Sequence, residues 1–239
     1  MRIILSRKGF DSGAGGVPSP IINGRPISLP IPTGHRSTTS YDQLGLGELV
    51  EKVTRGRINR SHLCHEDPMF AAGQCIFGQC GRAQSHLIRQ GVTIGDVFLF
   101  FGLFADEAGG ERHHRIFGFL SIESILSSAV ISPLEDLPRV HPHTLGDWNI
   151  NNTIYRGIGR TANSAADGLR LTQLGGPLQH WIVPAWLRDV GLSFHGKTER
   201  WANSDRLKVV ARGQEFVADI GNQVEPRRWL DQVMGMISS

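Results

Sequence analysis

Ionisable side chains gather in turns rich in glycine, proline and histidine along this 239-residue chain. The first group, Arg7, Lys8 and Asp11, follows an apolar segment and lies in a loop with four glycines between positions 9 and 16. Backbone amides of such a loop can form a concavity that binds an anion, and two cations beside it would neutralise a phosphate. The Gly-Lys-Ser/Thr ending of a Walker A loop is missing. The loop therefore predicts a phosphate contact without an NTPase motif, and a plain surface loop is the alternative.

A second group lies at His62–Pro68, where His65, Glu66 and Asp67 offer an acid–base pair or metal ligands. The three cysteines and His86 have the spacing C-x10-C-x4-C-x5-H, which matches no standard zinc motif. We therefore assign no metal ligand and no cofactor from the sequence.

Further polar groups come later in the chain. His143 precedes a predicted strand, His195 and Arg200 follow a short predicted helix, and Gln214 and Glu215 lie against the last predicted strand. A glutamine amide can read a base edge through its paired donor and acceptor. A carboxylate beside a histidine can carry general acid–base catalysis. Because residues at strand ends can converge on one pocket, these types together predict a nucleotide site.

The element that must position these turns is a long β-hairpin. Its runs Val97–Phe104 and Ile116–Ile122 flank a polar loop, Asp106–Arg115, and are apolar at nearly every position. Both faces of each strand should therefore be covered, which places the hairpin in the middle of a closed or heavily packed sheet. The pattern resembles the central hairpin of PUA-like barrels, and that resemblance implies a site for bases or modified bases.

The remaining elements are short. Strands are predicted at Arg2–Ser6, in a hairpin that turns at Asn23-Gly24, and at Leu169–Thr172, Leu207–Ala211 and Phe216–Ala218. Helices are predicted after the capping box Ser40–Gln43 and at Gly81–Gln90, Pro184–Asp189 and Pro226–Ile237. The fold class is therefore α+β, mainly β, a compact PUA-like or related barrel or mixed sheet with short peripheral helices. Residues 1–239 are predicted to form a single domain.

Composition limits the class of protein. A net charge of +3 and a pI near 9.0 permit a nucleic-acid or phosphorylated partner but do not demand one. No run approaches the roughly 20 apolar residues of a membrane span, so no membrane partner is expected. Three cysteines cannot all pair, which favours a reducing cytoplasm.

Several segments taken in order match one known family. They are Ile3–Asp11, Pro18–Ile21, Leu29–Pro32, His65–Pro68, His141–His143, Asn152–Tyr155, Leu169–Thr172, Ser193–His195 and Gly213–Val217. Together they resemble the nucleotide modification associated domain 3 family, which is described as DNA base hypermodification proteins. The resemblance covers nearly the whole chain. It implies DNA or a nucleotide as substrate and, as possible partners, other DNA-modification enzymes.

The favoured function is an enzyme that acts on a nucleobase or nucleotide by glycosyl or group transfer. Asp11 or Glu215 would stabilise or attack a cationic sugar centre, and His195 or His65 would handle the proton. We assign catalysis to Asp11, His65, Asp67, His195 and Glu215, and substrate binding to Arg7, Lys8, His143, Tyr155, Arg170, Arg200 and Gln214.

Two alternatives stay open. A PUA-like pocket could read a modified base without doing chemistry. In a nucleotide site of either kind, Trp201 or Phe10 could stack on the base. A metal-dependent hydrolase could use a set of one aspartate and three histidines, although the chain lacks the H-E-x-x-H motif. The members of that set are His65, Asp67, His141 and His143.

Overall fold

The computed structural model describes residues 1–127, 137–210 and 215–239. The strands are β1 Arg2–Arg7, β2 Ser19–Ile22, β3 Arg25–Pro26, β4 Ile31–Pro32, β5 Cys64–His65, β6 Met69–Ala71, β7 Gln74–Gln79, β8 Val97–Asp106, β9 His113–Ser127, β10 Thr153–Thr161, β11 His180–Ile182, β12 Arg206–Lys208 and β13 Glu215–Asp219. The helices are α1 Gly47–Thr54, α2 Gly81–Arg89, α3 Trp186–Val190 and α4 Val224–Ser238. The predicted class, α+β and mainly β, is confirmed.

One large mixed sheet forms the centre of the molecule. Among the described residues its order is β13-β1-β8-β9-β10-β7-β6, with β2 added beside β8 and β3 beside β2. Strand β1 runs parallel to β8, and the pairs β8–β9, β9–β10 and β10–β7 are antiparallel. The predicted hairpin is therefore central and has a neighbour on each side, as its apolar pattern required.

The two faces of this sheet carry two separate apolar cores. Alternate residues of β8 point in opposite directions, so Leu99 and Phe101 join a core with α3 and α4, while Phe98 and Phe100 join a second core with α2. This alternation explains why both strands of the hairpin are apolar at nearly every position.

The sheet is curled around the second core. The rings of Phe77 on β7 and Phe98 on β8 have centroids 5.0 Å apart, although two strands lie between β7 and β8 in the sheet order. In a flat sheet these two strands would be about 14 Å apart. The curl agrees with the predicted barrel or mixed sheet, and the PUA-like detail stays a prediction.

Strand β8 changes partner along its length, and this opens the sheet. Strand β1 pairs with β8 at Val97–Phe101, and β2 pairs with it from Phe104. The glycine-rich chain between β1 and β2 must leave the sheet at this point. Lys8 still donates its backbone N–H to the carbonyl oxygen of Phe101. The carbonyl oxygen of Lys8 lies 2.7 Å from the position that a Cβ on Gly102 would take. The predicted phosphate loop therefore emerges at a break in the strand pairing.

Several local predictions are confirmed by the structure. Asn23 and Gly24 take positive φ angles of 49° and 74° in the hairpin between β2 and β3. Helices α2 and α4 occupy the predicted segments within three residues. Ser40 and Gln43 form the reciprocal hydrogen bonds of a capping box. A turn follows that box, so α1 begins only at Gly47.

Other local predictions are wrong. Leu169–Thr172 is not a strand, because a 3-10 turn ends at Leu169 and only isolated bridges follow. The loop Asp106–Arg115 is shorter than predicted, since β9 begins at His113 and its first three side chains are buried. In the hairpin that turns at Asn23-Gly24, only Arg25–Pro26 of the second arm pairs with β2. Ala211, the last residue of another predicted strand, lies outside the described residues.

Candidate functional site

A cleft of about 440 Å³ lies where β1 leaves the sheet, between the glycine-rich loop and the histidine-rich turns. Half of the twelve residues assigned from the sequence line this cleft, namely Arg7, Lys8, Asp11, His65, Asp67 and His143. Residues that are far apart in the chain are therefore brought to one site.

The glycine-rich loop is organised by its own aspartate. Asp11 Oδ1 accepts hydrogen bonds from the backbone N–H groups of Gly13 and Ala14, each at 2.7 Å. Gly15 has φ of +77°, and a Cβ there would lie 2.4 Å from the ring of Phe10. Two amides that we expected to bind an anion are thus already bound to Asp11. Phe10 is fully buried, so its predicted role in base stacking is wrong.

Lys8 connects the cleft to a buried carboxylate beneath it. Its Nζ lies 3.2 Å from Glu215 Oε1 and 4.2 Å from the ring centroid of Phe77. The same carboxylate oxygen accepts a 2.7 Å hydrogen bond from Gln79 Nε2. Glu215 is 1% exposed and Lys8 11% exposed, so the carboxylate is held below the floor of the cleft and the ammonium group reaches its wall.

The electrostatics of Glu215 are set mainly by its burial. Desolvation raises the pKa of Glu215, and the positive charge of Lys8 opposes that shift without cancelling it. An ionised Glu215 is therefore costly in the folded protein. Lys8 and Gln79 supply the contacts that hold it there.

Asp67 forms the opposite wall of the cleft, surrounded by three histidines. Its Oδ2 lies 3.6 Å from His65 Nε2 and 3.6 Å from His143 Nε2, while its Oδ1 lies 3.3 Å from His141 Nε2. The Gly78 N–H also donates to Oδ1 at 2.9 Å. Burial alone would raise the pKa of Asp67, but the contacts with His141 and His65 outweigh it and hold that pKa well below its usual range.

His143 is fixed from two sides. Its Nδ1 lies 2.6 Å from Asn152 Oδ1, and its ring stacks on Trp148 with centroids 4.1 Å apart and an interplanar angle of 9°. Gly78 allows this placement, because a Cβ at that position would lie 2.2 Å from His143 Cγ. Burial lowers the pKa of His143 to about 4, so the ring is neutral at pH 7.

Three residues of this site were not assigned from the sequence. Trp148 lines the cleft and carries the guanidinium of Arg36 over its ring at 4.3 Å. Gln79 holds Glu215, and Asn152 holds His143. The sequence offered one indication for Trp148, because it lies only five residues after the His-Pro-His turn that was already a candidate. Nothing in the sequence pairs Gln79 with Glu215.

The other assigned residues lie elsewhere. Both ring nitrogens of His195 are bound to backbone groups: Nδ1 to the Ser193 carbonyl at 2.7 Å and Nε2 to the Val210 N–H at 3.1 Å. The Tyr155 hydroxyl donates to Gln84 in the second core.

Arg170, Arg200 and Trp201 are also absent from the cleft. Arg170 pairs with Glu111, and Arg200 lines a different groove. Trp201 is 9% exposed and donates its indole N–H to the His195 carbonyl, so its predicted stacking role is wrong. Gln214 lies outside the described residues. The predicted pairing of Glu215 with His195 is also replaced, since the basic partner of Glu215 is Lys8.

A model of a known protein family matches most of the chain. Residues 2–219 match the model described as nucleotide modification associated domain 3, which confirms the resemblance found in the sequence. No match was found among curated proteins or among solved structures. Within the described part of the chain, no helix has the length and apolar character needed to cross a membrane.

Proposed function

Because the chain belongs to the nucleotide modification associated domain 3 family, we propose that it is an enzyme that modifies a nucleobase or nucleotide, with DNA as the polymeric substrate. One observation carries this proposal. Two buried carboxylates, Asp67 in the wall of the cleft and Glu215 beneath it, are each held against basic groups. Buried charged groups are costly unless they are paired, and such arrangements are typical of catalytic sites.

The size of the cleft supports a single nucleotide as the bound unit. Small-molecule sites commonly have volumes of about 300–1,000 Å³, and this cleft falls within that range at about 440 Å³. A DNA duplex would not fit into it. A base in DNA would therefore have to be flipped out of the stack before it reacted.

Glycosyl or group transfer is the reaction class that we propose. Arg7 and Lys8 would attract the phosphate of the substrate. Asp11 lines the cleft with one oxygen fixed by two amides, and its other oxygen would stabilise a cationic sugar centre. Asp67 and His65 would face the reacting group from the opposite wall. Glu215 is a positioning residue here, because it acts through Lys8.

A reader of modified bases that does no chemistry is supported less well. Such a reader would surround the base with aromatic and amide groups. Apart from two histidines, Trp148 is the single aromatic side chain among the described residues that line the cleft. Carboxylate, imidazole and ammonium groups occupy the walls instead, which favours an enzyme.

A metal-dependent hydrolase is the second candidate. The donor atoms of His65, Asp67 and His143 all lie within 4.8 Å of one another, and this geometry favours it.

A reducing cytoplasm is the compartment that we propose for either activity, because all three thiols are free and two of them are buried.

The test is mass spectrometry of nucleosides from DNA of cells that express the gene with its genomic neighbours. We expect a nucleoside mass to be gained or lost with the wild-type protein and to stay unchanged with Lys8→Met or Asp67→Asn. Arg200→Ala is the matched control, because Arg200 was assigned to substrate binding but lines another groove. It should behave as the wild type.

Two results would overturn the proposal. If the DNA is unchanged while the purified protein retains modified oligonucleotides over plain ones, the protein is a reader. If Arg200→Ala abolishes the new nucleoside and Lys8→Met does not, the reaction takes place at the other groove.

A further inference from the structure

We propose that His65, Asp67 and His143 bind one divalent transition-metal ion, of which zinc is the test case, in the wall of the cleft. The three donor atoms are His65 Nε2, Asp67 Oδ2 and His143 Nε2. The sequence offered these three residues together with His141 as one alternative, and the geometry selects the three whose donor atoms lie close together. It stands on its own geometry and does not depend on the transfer reaction proposed for the same cleft.

The distances between the donor atoms suit such an ion. Each histidine nitrogen lies 3.6 Å from Asp67 Oδ2. Nitrogen and oxygen ligands placed tetrahedrally at about 2.0–2.1 Å from zinc are roughly 3.4 Å from one another. The two nitrogen–oxygen distances are therefore close to those of a zinc site, and all three donor atoms lie within 4.8 Å of one another. Two imidazoles and one carboxylate are also a common donor set for first-row metals in enzymes.

The two oxygens of Asp67 have different surroundings. Oδ1 accepts the Gly78 N–H at 2.9 Å and faces His141 Nε2 at 3.3 Å. His141 Nδ1 accepts the backbone N–H of His143, which fixes the ring with its Nε2 beside Oδ1. The Gly78 N–H thus holds one oxygen and orients the carboxylate. The other oxygen, Oδ2, is turned to the two remaining imidazoles.

The tautomer of His143 leaves a lone pair facing that second oxygen. Asn152 Nδ2 donates to the His143 carbonyl, which identifies Asn152 Oδ1 as the acceptor of the ring proton on Nδ1. The other ring nitrogen, Nε2, faces Asp67 Oδ2 at 3.6 Å. With the Nδ1 proton held by Asn152, Nε2 is the nitrogen whose lone pair would bind an ion placed beside that oxygen. An oxygen acceptor on the far nitrogen is also the usual support of a metal-bound histidine.

The cluster is closed on the protein side and open on the cleft side. The side chains of Asp67 and His143 are each 4% exposed, whereas His65 is 19% exposed and lies at the rim. Three protein ligands leave a fourth position for water or substrate, which is the arrangement of catalytic zinc sites. An ion there would polarise an oxygen of the substrate opposite Lys8.

The test is metal binding by tag-free, full-length protein that has been stripped with a chelator. Zinc alone is titrated in competition with a chromophoric chelator, and cobalt is added in parallel as a spectroscopic probe. We expect one equivalent per chain and a tetrahedral cobalt spectrum without a thiolate charge-transfer band. His65→Gln and His143→Gln should each weaken zinc binding at least tenfold. The exposed His180→Gln variant is the matched control and should bind as the wild type.

Several results would overturn the inference. These are no binding at micromolar zinc, a cobalt–thiolate band, or equal affinity in the wild type and both ligand variants. His65 is partly exposed, so His65→Gln keeps the test decisive if His143→Gln fails to fold. Since the measurement involves no nucleotide, a failed metal site and a failed base-modification assay are distinguished from each other.

Discussion

Gln79 and Glu215 lie on strands that are five places apart in the sheet order, yet Gln79 Nε2 donates a 2.7 Å hydrogen bond to Glu215 Oε1. In a flat sheet, β7 and β13 would be separated by about 24 Å. The curl of the sheet therefore brings its two sides together below the cleft. Lys8 binds the same oxygen, so the glycine-rich loop, β7 and β13 are linked through one buried carboxylate.

Glu215→Gln should change how stability depends on pH. Burial raises the pKa of Glu215 above that of the unfolded chain, so the folded protein binds the proton more tightly. The wild type should therefore lose stability relative to Glu215→Gln as the pH rises through the interval between the two pKa values. Each unit of that difference corresponds to about 1.4 kcal/mol. Urea unfolding of both proteins between pH 4 and pH 8 measures it.

Lys8→Met provides a check on the same prediction. Lys8 lowers the pKa of Glu215, so its removal should raise that pKa further and steepen the loss of stability with pH. If the wild type and Glu215→Gln show parallel pH profiles, the carboxylate is not desolvated as the structure indicates.

His195→Gln should lower the free energy of unfolding at neutral pH. It should also remove a part of the stability loss that the wild type shows as the pH falls. Burial lowers the pKa of His195 to about 4, and both ring nitrogens are bound to backbone groups. A neutral buried histidine stabilises the fold above the unfolded pKa of about 6.5 and loses that contribution as the pH falls toward 4. The wild-type advantage over the variant should shrink by about 3 kcal/mol across that interval. Chemical unfolding at each pH measures it, and a constant difference would contradict the prediction.

Elements with strong local signals could be predicted from the sequence. The hairpin β8–β9, the Asn23-Gly24 turn and helix α4 depend on residue types within a few positions of one another. Their predictions are confirmed because periodicity and turn chemistry act over that short range. The Leu169–Thr172 segment has the same apolar alternation and is not a strand. Whether such a segment joins the sheet depends on the strands available to pair with it, and the sequence does not identify them.

The sequence predicted several of the residues that line the cleft, but not which of them contact one another. Lys8 and Asp67 were assigned because they lie in turns rich in glycine and proline, and the structure brings them together. His195 has the same residue type and a similar turn, yet the backbone binds both of its nitrogens. Residue type does not reveal whether a buried ring is already satisfied. That depends on contacts such as His195 with Val210, which only the folded chain defines.

Lys8→Met should weaken anion binding in the cleft. Lys8 is the ammonium group on the cleft wall, and a hydrogen bond to a charged group contributes about 1.5–3 kcal/mol. We expect the affinity for a nucleoside monophosphate to fall at least tenfold at constant ionic strength. Isothermal titration calorimetry with the purified protein measures this.

Lys197→Met is the matched control for that experiment. Lys197 is 73% exposed and lies 3.8 Å from the exposed Glu199, so its removal changes the net charge equally without touching the cleft. Equal losses in the two variants would mean that only the overall charge attracts the anion.

Gly78→Ala should disable the histidine wall of the cleft. An added Cβ would lie 2.2 Å from His143 Cγ and 2.3 Å from its Cδ2, and real contacts of this kind do not occur at such distances. The His143 ring must therefore move, which separates it from Asp67 and from the stacked Trp148. Overpacking of a buried position costs about 1–3 kcal/mol, so the variant should still fold with a lower melting temperature. Its zinc affinity should fall at least tenfold.

Gly34→Ala separates this effect from a general cost of replacing glycine. Gly34 is exposed, and a Cβ there would meet nothing within 4 Å, so its stability and zinc affinity should match the wild type. If Gly78→Ala binds zinc normally, zinc binding does not need the His143 ring in the position that the structure shows. If Gly78→Ala loses zinc binding but keeps its melting temperature, the ring has moved without loss of packing. Both the metal site and the reaction centre would then depend on a glycine that touches neither ion nor substrate.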